Sequence, residues 1–234
     1  SSAWESGLSE IAATAFAQEA DPSAAEDLYG GMRELADEFQ VAIVGGDTNR
    51  STSGVVLCVT LLGEATPRGP VRRSGARPGD WIIATGTFGG SMLGKHLNFT
   101  PRVREALLLH EKYNLHAMID VSDGLAADLG HVLDESHCGA VLHATAIPIS
   151  GAARQAPGDR LPLDRALYDG EDFELLFTLA PDDARRLIAE QPLGVPVSHI
   201  GLVTSEPGLV LESSGSRRAI STTGFDHFRS DSVP

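Results

Sequence analysis

Short apolar runs that stop at glycine or aspartate and then lead into helix-spaced sequence recur along this chain, and they restrict its fold more than any other feature. "VAIVGG" at 41–46 reads as a buried strand ending in glycines, and "WIIATG" at 81–86 and "HAMIDVS" at 116–122 each read as a strand that runs into a turn. Residues 24–39 place Leu28, Met32, Leu35 and Phe39 three and four apart, the spacing of an amphipathic helix, and "LAADLGHVLDES" does the same with Leu125, Leu129, Val132 and Leu133. A second strand is expected over 54–63, a partly helical region around 101–113, an alternating strand in "FELLFTL", a helix over 181–191 and strands near 197–203 and 208–212. Strands alternating with helices argue for an α/β class, with α+β mixing. "ATPRGPVRRSGARPGD" has the composition of a connector, which puts a boundary near residue 67 and domains at 1–66 and 67–228. The tail at 229–234, "RSDSVP", is expected to be disordered.

Acids outnumber bases 32 to 18, a formal charge of -14. That balance opposes phosphate backbones and anionic membrane surfaces, so neither nucleic acid nor membrane is an expected partner. No segment approaches the roughly 18 apolar residues of a membrane span. Cys58 and Cys138 form neither a CxxC pair nor a disulfide framework, which suits a reducing cytosol, and a cytoplasmic protein is the expectation.

The candidate chemistry gathers where the apolar runs end. Gly89, Gly94 and Lys95 have P-loop spacing, but His96 stands where a magnesium-holding Ser or Thr is required, so a tight strand-to-helix turn is the better reading. Asp47 in "VGGDTNR" follows two glycines that permit close backbone approach to a ligand; a turn aspartate and a metal ligand explain it equally. Asp120 and Asp123 lie at a comparable strand end, where helix capping by Ser122 or Asp123 competes with cation binding. Arg73 is either an exposed linker arginine or a phosphate contact. "DGEDFEL" carries four carboxylates in six residues against an apolar run, and such crowding favours a ligand role for Glu171 over a solvated loop.

Taken in order, "GGDTNR", "RRSGARPGD", "IDVSDGLAADLGH", "DGEDFELLF" and "TGFDHF" resemble thiamine-monophosphate kinase, a family of the ATP-using superfamily that includes aminoimidazole ribonucleotide synthetase and selenophosphate synthetase. The resemblance implies ATP-dependent phosphorylation of thiamine monophosphate to thiamine diphosphate by direct transfer, with magnesium held by aspartates. It assigns Gly46, Asp47, Arg73 and Ser122 to ATP, and Glu10, Asp47, Asp120 and Asp123 to magnesium. Asp47, Arg73, Asp120 and Asp123 are the expected catalytic set, while Glu171 and Phe225 face the thiamine portion.

The same resemblance implies a two-domain synthetase-like fold whose amino-terminal sheet domain is incomplete. The family's upstream paired-aspartate motif has no counterpart, Glu10 stands where the family has Asp, and the interval from "LSEIAA" to "VGGDT" is short by about one strand. A homodimer is expected if that domain suffices. Two alternatives remain: another ATP-using member of the superfamily, or a catalytically incomplete nucleotide-binding module.

Overall fold

The computed structural model of the chain describes residues 9–17, 22–52 and 54–222. They divide into two compact units, one ending at Pro70 and one beginning at Val71. The expected tail at 229–234 and Phe225 lie outside the described residues.

The first unit is a three-stranded sheet with one helix. Strand β1 (Ser9–Ala17) lies between β2 (Ala42–Ser51) and β3 (Val56–Leu62), parallel to β2 and antiparallel to β3. A parallel pair requires a crossover, and α1 (Pro22–Phe39) supplies it. The helix turns Leu28, Met32, Ala36 and Phe39 inward, while Leu35 is 49% exposed. Ala36 therefore takes the place expected of Leu35, since its spacing of four from Met32 keeps it on the inner stripe. "VAIVGG" is corrected in two respects: β2 runs on through Asp47 to Ser51, and most of it is exposed.

The second unit is a seven-stranded mixed sheet. In chain order its elements are β4 (Trp81–Thr85), α2 (Val103–Lys112), β5 (Leu115–Asp120), α3 (Leu125–Ser136), β6 (Gly139–His143), α4 (Gly151–Gln155), α5 (Pro162–Tyr168), β7 (Leu175–Leu179), α6 (Pro181–Glu190), β8 (Val197–Thr204), β9 (Gly208–Ser213) and β10 (Ser216–Ala219). The strand order is β10-β9-β6-β8-β4-β7-β5, and β6 with β9 is the parallel pair.

Period-2 geometry sends alternate residues of β4 to opposite faces. Ile82 and Ala84 join a core with Leu125, Leu129, Val132 and Leu167 of α3 and α5. Ile83 joins a separate core with Leu109, Ala184 and Leu187 of α2 and α6. Helices on both faces explain why all five residues of β7, the strand expected from alternation along "FELLFTL", are buried. In consequence β4 and β7 are covered on both faces, β5 lies beside β7 at the edge of the sheet, and the neighbouring ends of the three strands form a platform for the loops at 85–102, 120–124 and 169–174.

Gly201 tests this packing, because a Cβ there would stand 2.3 Å from the Val141 carbonyl oxygen in the neighbouring strand. Gly201→Ala should destabilise the chain by about 1–3 kcal/mol, the usual cost of overpacking. Urea unfolding would read this directly, and an unchanged midpoint would contradict the described strand spacing.

Candidate functional site

Two motifs far apart in sequence interlock at the end of β5. Past Asp120 the backbone continues to pair: Val121 N–H donates to the Glu174 carbonyl (2.8 Å), Phe173 N–H to the Val121 carbonyl (2.8 Å) and Glu171 N–H to the Ser122 carbonyl (2.7 Å). Glu171 and Phe173 reach this arrangement with φ of 65° and 51°. Both are strained left-handed residues, and Phe173 packs its ring on Phe99 with centroids 4.0 Å apart. Gly170 has no room for a side chain, since a Cβ would lie 2.6 Å from the Ser122 carbonyl oxygen.

Asp128 holds the first of these loops from beneath. It is 2% exposed in the first turn of α3, and its Oδ2 accepts both the Ser122 N–H (3.0 Å) and the Asp123 N–H (2.9 Å). Helix capping by the side chain of Ser122 or Asp123 is thus corrected: the N-cap position is Gly124, without a side-chain cap, and it is the backbone of the two residues that is bound. Burial pushes Asp128 up to about 6; the two N–H donors oppose the shift, and the nearby Asp123 and Asp120 charges add to it. Ligand atoms of Asp123, Asp128 and His131 lie within 4.8 Å of one another. Among the described residues, none of Asp120, Asp123 or Asp128 forms an ion pair with Lys or Arg.

The acidic run at 169–174 is built in the opposite way. Asp172, 1% exposed, accepts Gly89 N–H (2.8 Å) and the Ser91 hydroxyl. Asp169 accepts Gly90 N–H (3.0 Å) and pairs with Arg160 (2.6 Å). Glu174, 2% exposed, takes a two-pronged contact from Arg102 (2.9 Å on each oxygen), Lys95 (3.1 Å) and the Thr85 hydroxyl (2.8 Å). Burial pushes Glu174 up, but the Arg102 hydrogen bonds, the Lys95 charge and the Thr85 hydrogen bond outweigh it and hold the carboxyl below its usual range. Asp172 is pushed up to about 6 by burial, against the Ser91 and Gly89 donors. Of the four carboxylates, Glu171 is the one whose side chain takes no hydrogen bond or ion pair among the described residues.

The P-loop-like stretch is the other half of this clamp. Gly89 and Gly90, at φ of 84° and 73°, aim the N–H groups that bind phosphate in a true P-loop at Asp172 and Asp169 instead. Two short 3₁₀ turns, Ser91–Leu93 and Lys95–Leu97, follow in place of the expected helix, and Lys95 is committed to Glu174.

Arg73 is exposed, and its carbonyl accepts the Ser136 hydroxyl (3.1 Å) from the end of α3. Its loop runs beside β5, with Met118 N–H donating to the Arg72 carbonyl (3.0 Å). In the first unit, Gly46 and Asp47 line a cleft of about 530 Å³ with Leu28, Tyr29 and Met32. Asp47 is satisfied locally by Thr48 N–H (2.9 Å) and the Asn49 amide (2.6 Å). The side chain of Glu10 falls outside the described residues, as does Phe225.

Sequence reasoning did not assign Asp128, Asp172, Glu174, Lys95 or Arg102. One signal was available: Asp128 shares the helical stripe of Leu125, Leu129 and Val132, and a carboxylate on an apolar stripe must be bonded within the fold.

Models for "AIR synthase related protein" match residues 7–65 by the N-terminal domain and 77–213 by the C-terminal domain. The thiamine-monophosphate kinase of Escherichia coli is 32% identical over 229 residues, which cover 87% of this chain and 68% of that protein. The chain belongs to the thiamine-monophosphate kinase family. A family member from Rhodopirellula baltica is 41% identical over 210 residues, 88% of this chain and 66% of its own. The chain thus spans about two thirds of the length of these curated relatives. Among solved members, the Stenotrophomonas maltophilia enzyme aligns at a TM-score of 0.75 and 32% identity, over 89% of this chain and 72% of that one. A structure described as AaThiL complexed with AMPPCP and TMP aligns at 0.75 and 25% identity, over 95% of this chain and 74% of that one. Hydrogenase maturation protein HypE of E. coli, at 18% identity and 0.77, shares the fold.

The clamp carries a pH signature. Because burial moves Asp172 from 3.8 to about 6, the folded chain binds more protons than the unfolded one between those values, so this group's contribution to stability falls as pH rises. From pH ~4 to pH ~7 the wild type should lose about 2 kcal/mol relative to Asp172→Asn. Urea titrations of both proteins across that range would show it; parallel curves would refute it.

Proposed function

We propose that this chain phosphorylates thiamine monophosphate to thiamine diphosphate with ATP, by direct in-line transfer assisted by magnesium. The observation that carries the reading is the contrast between the two acidic motifs. The buried carboxylates of 169–174 are matched by cations and donors within the fold, whereas Asp120, Asp123 and Asp128 have no basic partner among the described residues. Hard oxygen donors without a basic partner suit magnesium, and Asp120 and Asp123 are the residues of the second unit that would hold it, while Asp47 and Glu10 are the metal-holding candidates of the first unit. Bound there, magnesium would neutralise phosphate charge.

The chain's own residues do the remaining work. Ser122 is the nucleotide-bonding residue of the second unit and Gly46 the candidate of the first, and the Arg73 guanidinium offsets charge that develops on the transferring phosphoryl group. The acceptor phosphate oxygen attacks the γ-phosphorus from the side opposite the leaving ADP, and no covalent phosphoenzyme forms. Glu171 offsets the positive ring of thiamine and Phe225 offers an aromatic face. A glycine at 171 would relieve the left-handed backbone, so keeping Glu there favours a working side chain. The thiamine-monophosphate kinase relatives, and the complex with AMPPCP and TMP, support this choice of substrates. An ATP-using enzyme with two free cysteines fits a cytoplasmic setting.

Homodimerisation belongs to the same reading. Val56, Leu57, Val59, Leu61 and Leu62 of β3 are 43–65% exposed, an apolar strand suited to meeting a second copy of the sheet. Leu61→Lys should shift sedimentation toward the monomer, and a wild type that sediments as a monomer at all concentrations would remove the dimer.

Chromatographic detection of thiamine diphosphate, with ATP, magnesium and thiamine monophosphate supplied, tests the activity. Asp120→Ala should lower turnover about a hundredfold or more, as loss of one charge-stabilising group does. Nucleotide binding without product in the wild type would instead assign the chain to the non-catalytic module.

A further inference from the structure

We infer that Asp128 is a positioning residue, whose buried carboxylate sets the backbone of residues 122 and 123 so that Asp123 and Ser122 can face the metal and the nucleotide; this rests on the reading that Asp123 holds a metal and Ser122 the nucleotide. Successive N–H groups of Ser122 and Asp123 converge on one carboxylate oxygen at 3.0 and 2.9 Å. Converging N–H groups of this kind form an anion-binding concavity, and here the protein fills it with its own side chain. The anchor is stiff, since Asp128 is 2% exposed and belongs to α3, whose Leu125, Leu129 and Val132 are packed into the core.

What Asp128 holds is more than two amides. The carbonyl of Ser122 receives Glu171 N–H at 2.7 Å, and the carbonyl of Val121 receives Phe173 N–H at 2.8 Å. Residues 121–123 are therefore fixed on one side by the carboxylate and on the other by the loop that carries Glu171. Gly124, at φ of 114°, closes the turn where a Cβ would meet the 168–169 backbone at 3.2–3.3 Å. Releasing the two amides frees the backbone on which Asp123 and Ser122 stand. The effect belongs to metal and nucleotide binding rather than to stability alone.

A direct ligand role is the competing explanation, because Asp128 lies with Asp123 and His131 in a group of ligand atoms within 4.8 Å. Asparagine separates the two. Its amide oxygen can accept the same two N–H groups, yet it is neutral and has no second carboxylate oxygen for a cation.

The test uses the full chain with Mn²⁺ as the probe, titrated by electron paramagnetic resonance with and without ATP, alongside steady-state kinetics and amide exchange by NMR. Asp128→Ala should weaken Mn²⁺ binding at least tenfold, raise KM for ATP more than it lowers kcat, and speed exchange of the Ser122 and Asp123 amides. Asp128→Asn should stay within threefold of wild type in all three. Should the alanine variant not fold, Asp128→Leu, close in volume and set in the apolar stripe, replaces it. Wild-type Mn²⁺ affinity in the folded alanine or leucine variant would overturn the positioning role. Asparagine failing as alanine does would overturn it in favour of direct ligation. A wild-type chain that binds no Mn²⁺ would remove the metal reading itself, and the inference with it.

Discussion

Carboxylates buried in a protein must be bonded, and in the second unit that requirement fastens the loops. Asp80, Asp128, Asp172 and Glu174 are its buried acids, each 1–3% exposed. Every one joins a loop to a neighbour: Asp80 takes Arg77 N–H (2.9 Å) and His116 (2.7 Å), Asp128 takes the 122–123 amides, Asp172 takes the Gly89 loop and Glu174 takes Lys95 and Arg102. An unpaired buried polar group costs roughly 1–3 kcal/mol, so each loop loses more by leaving than by staying. The platform of strands gives position, and these acids convert it into orientation.

This solution is not the most stable one available. Burial raises Asp128 and Asp172 to about 6, which means the charged forms are held against their preference. Left-handed Glu171 and Phe173 add strain of roughly 1–3 kcal/mol each. Apolar replacements of buried ion pairs are often neutral or stabilising, so hydrophobic packing alone would favour a different sequence here. What the carboxylates provide is directionality: an apolar contact would hold the loops close without fixing which N–H faces which oxygen. Of the left-handed non-glycine residues described, Gln40, His137, Gln191 and Ser214 lie at helix ends or a hairpin turn, where such backbone is ordinary, whereas Glu171 and Phe173 stand in the loop that pairs with Val121 and Ser122.

Legibility in the sequence followed the strength of periodicity. Helices α1, α3 and α6 and strands β3, β4, β5, β8 and β9 could be read because apolar spacing and turn residues agreed. Strand β6 and helices α4 and α5 could not, since their segments are five to seven residues long and fit no period by themselves. Strand β10, "SRRA", is an exposed edge whose arginines guard it from pairing outward, so nothing in it resembles a buried strand. At the site, the motifs that hold strained backbone announced themselves through glycine and aspartate. Partners of those motifs did not: Lys95 and Arg102 sit 72 to 79 residues from Glu174, and only folding brings them together.

The distinction between the two acidic motifs is local rather than global. A net charge of -14 would attract cations anywhere on the surface and so cannot choose a site. In the 169–174 run, Arg102, Lys95 and Arg160 cancel the charge of Glu174 and Asp169, and a cation arriving there would have to displace a bonded partner. At 120–128 nothing basic among the described residues needs displacing, and the Asp128 carboxylate is kept in place by amides whose dipoles cannot leave. Like charges packed without a counter-ion repel, and the repulsion grows as water is excluded. A divalent cation removes that repulsion from all the neighbouring carboxylates at once. The loop is therefore held by backbone where the neighbouring loop is held by basic side chains, and this choice of fastening is what leaves its negative charge available.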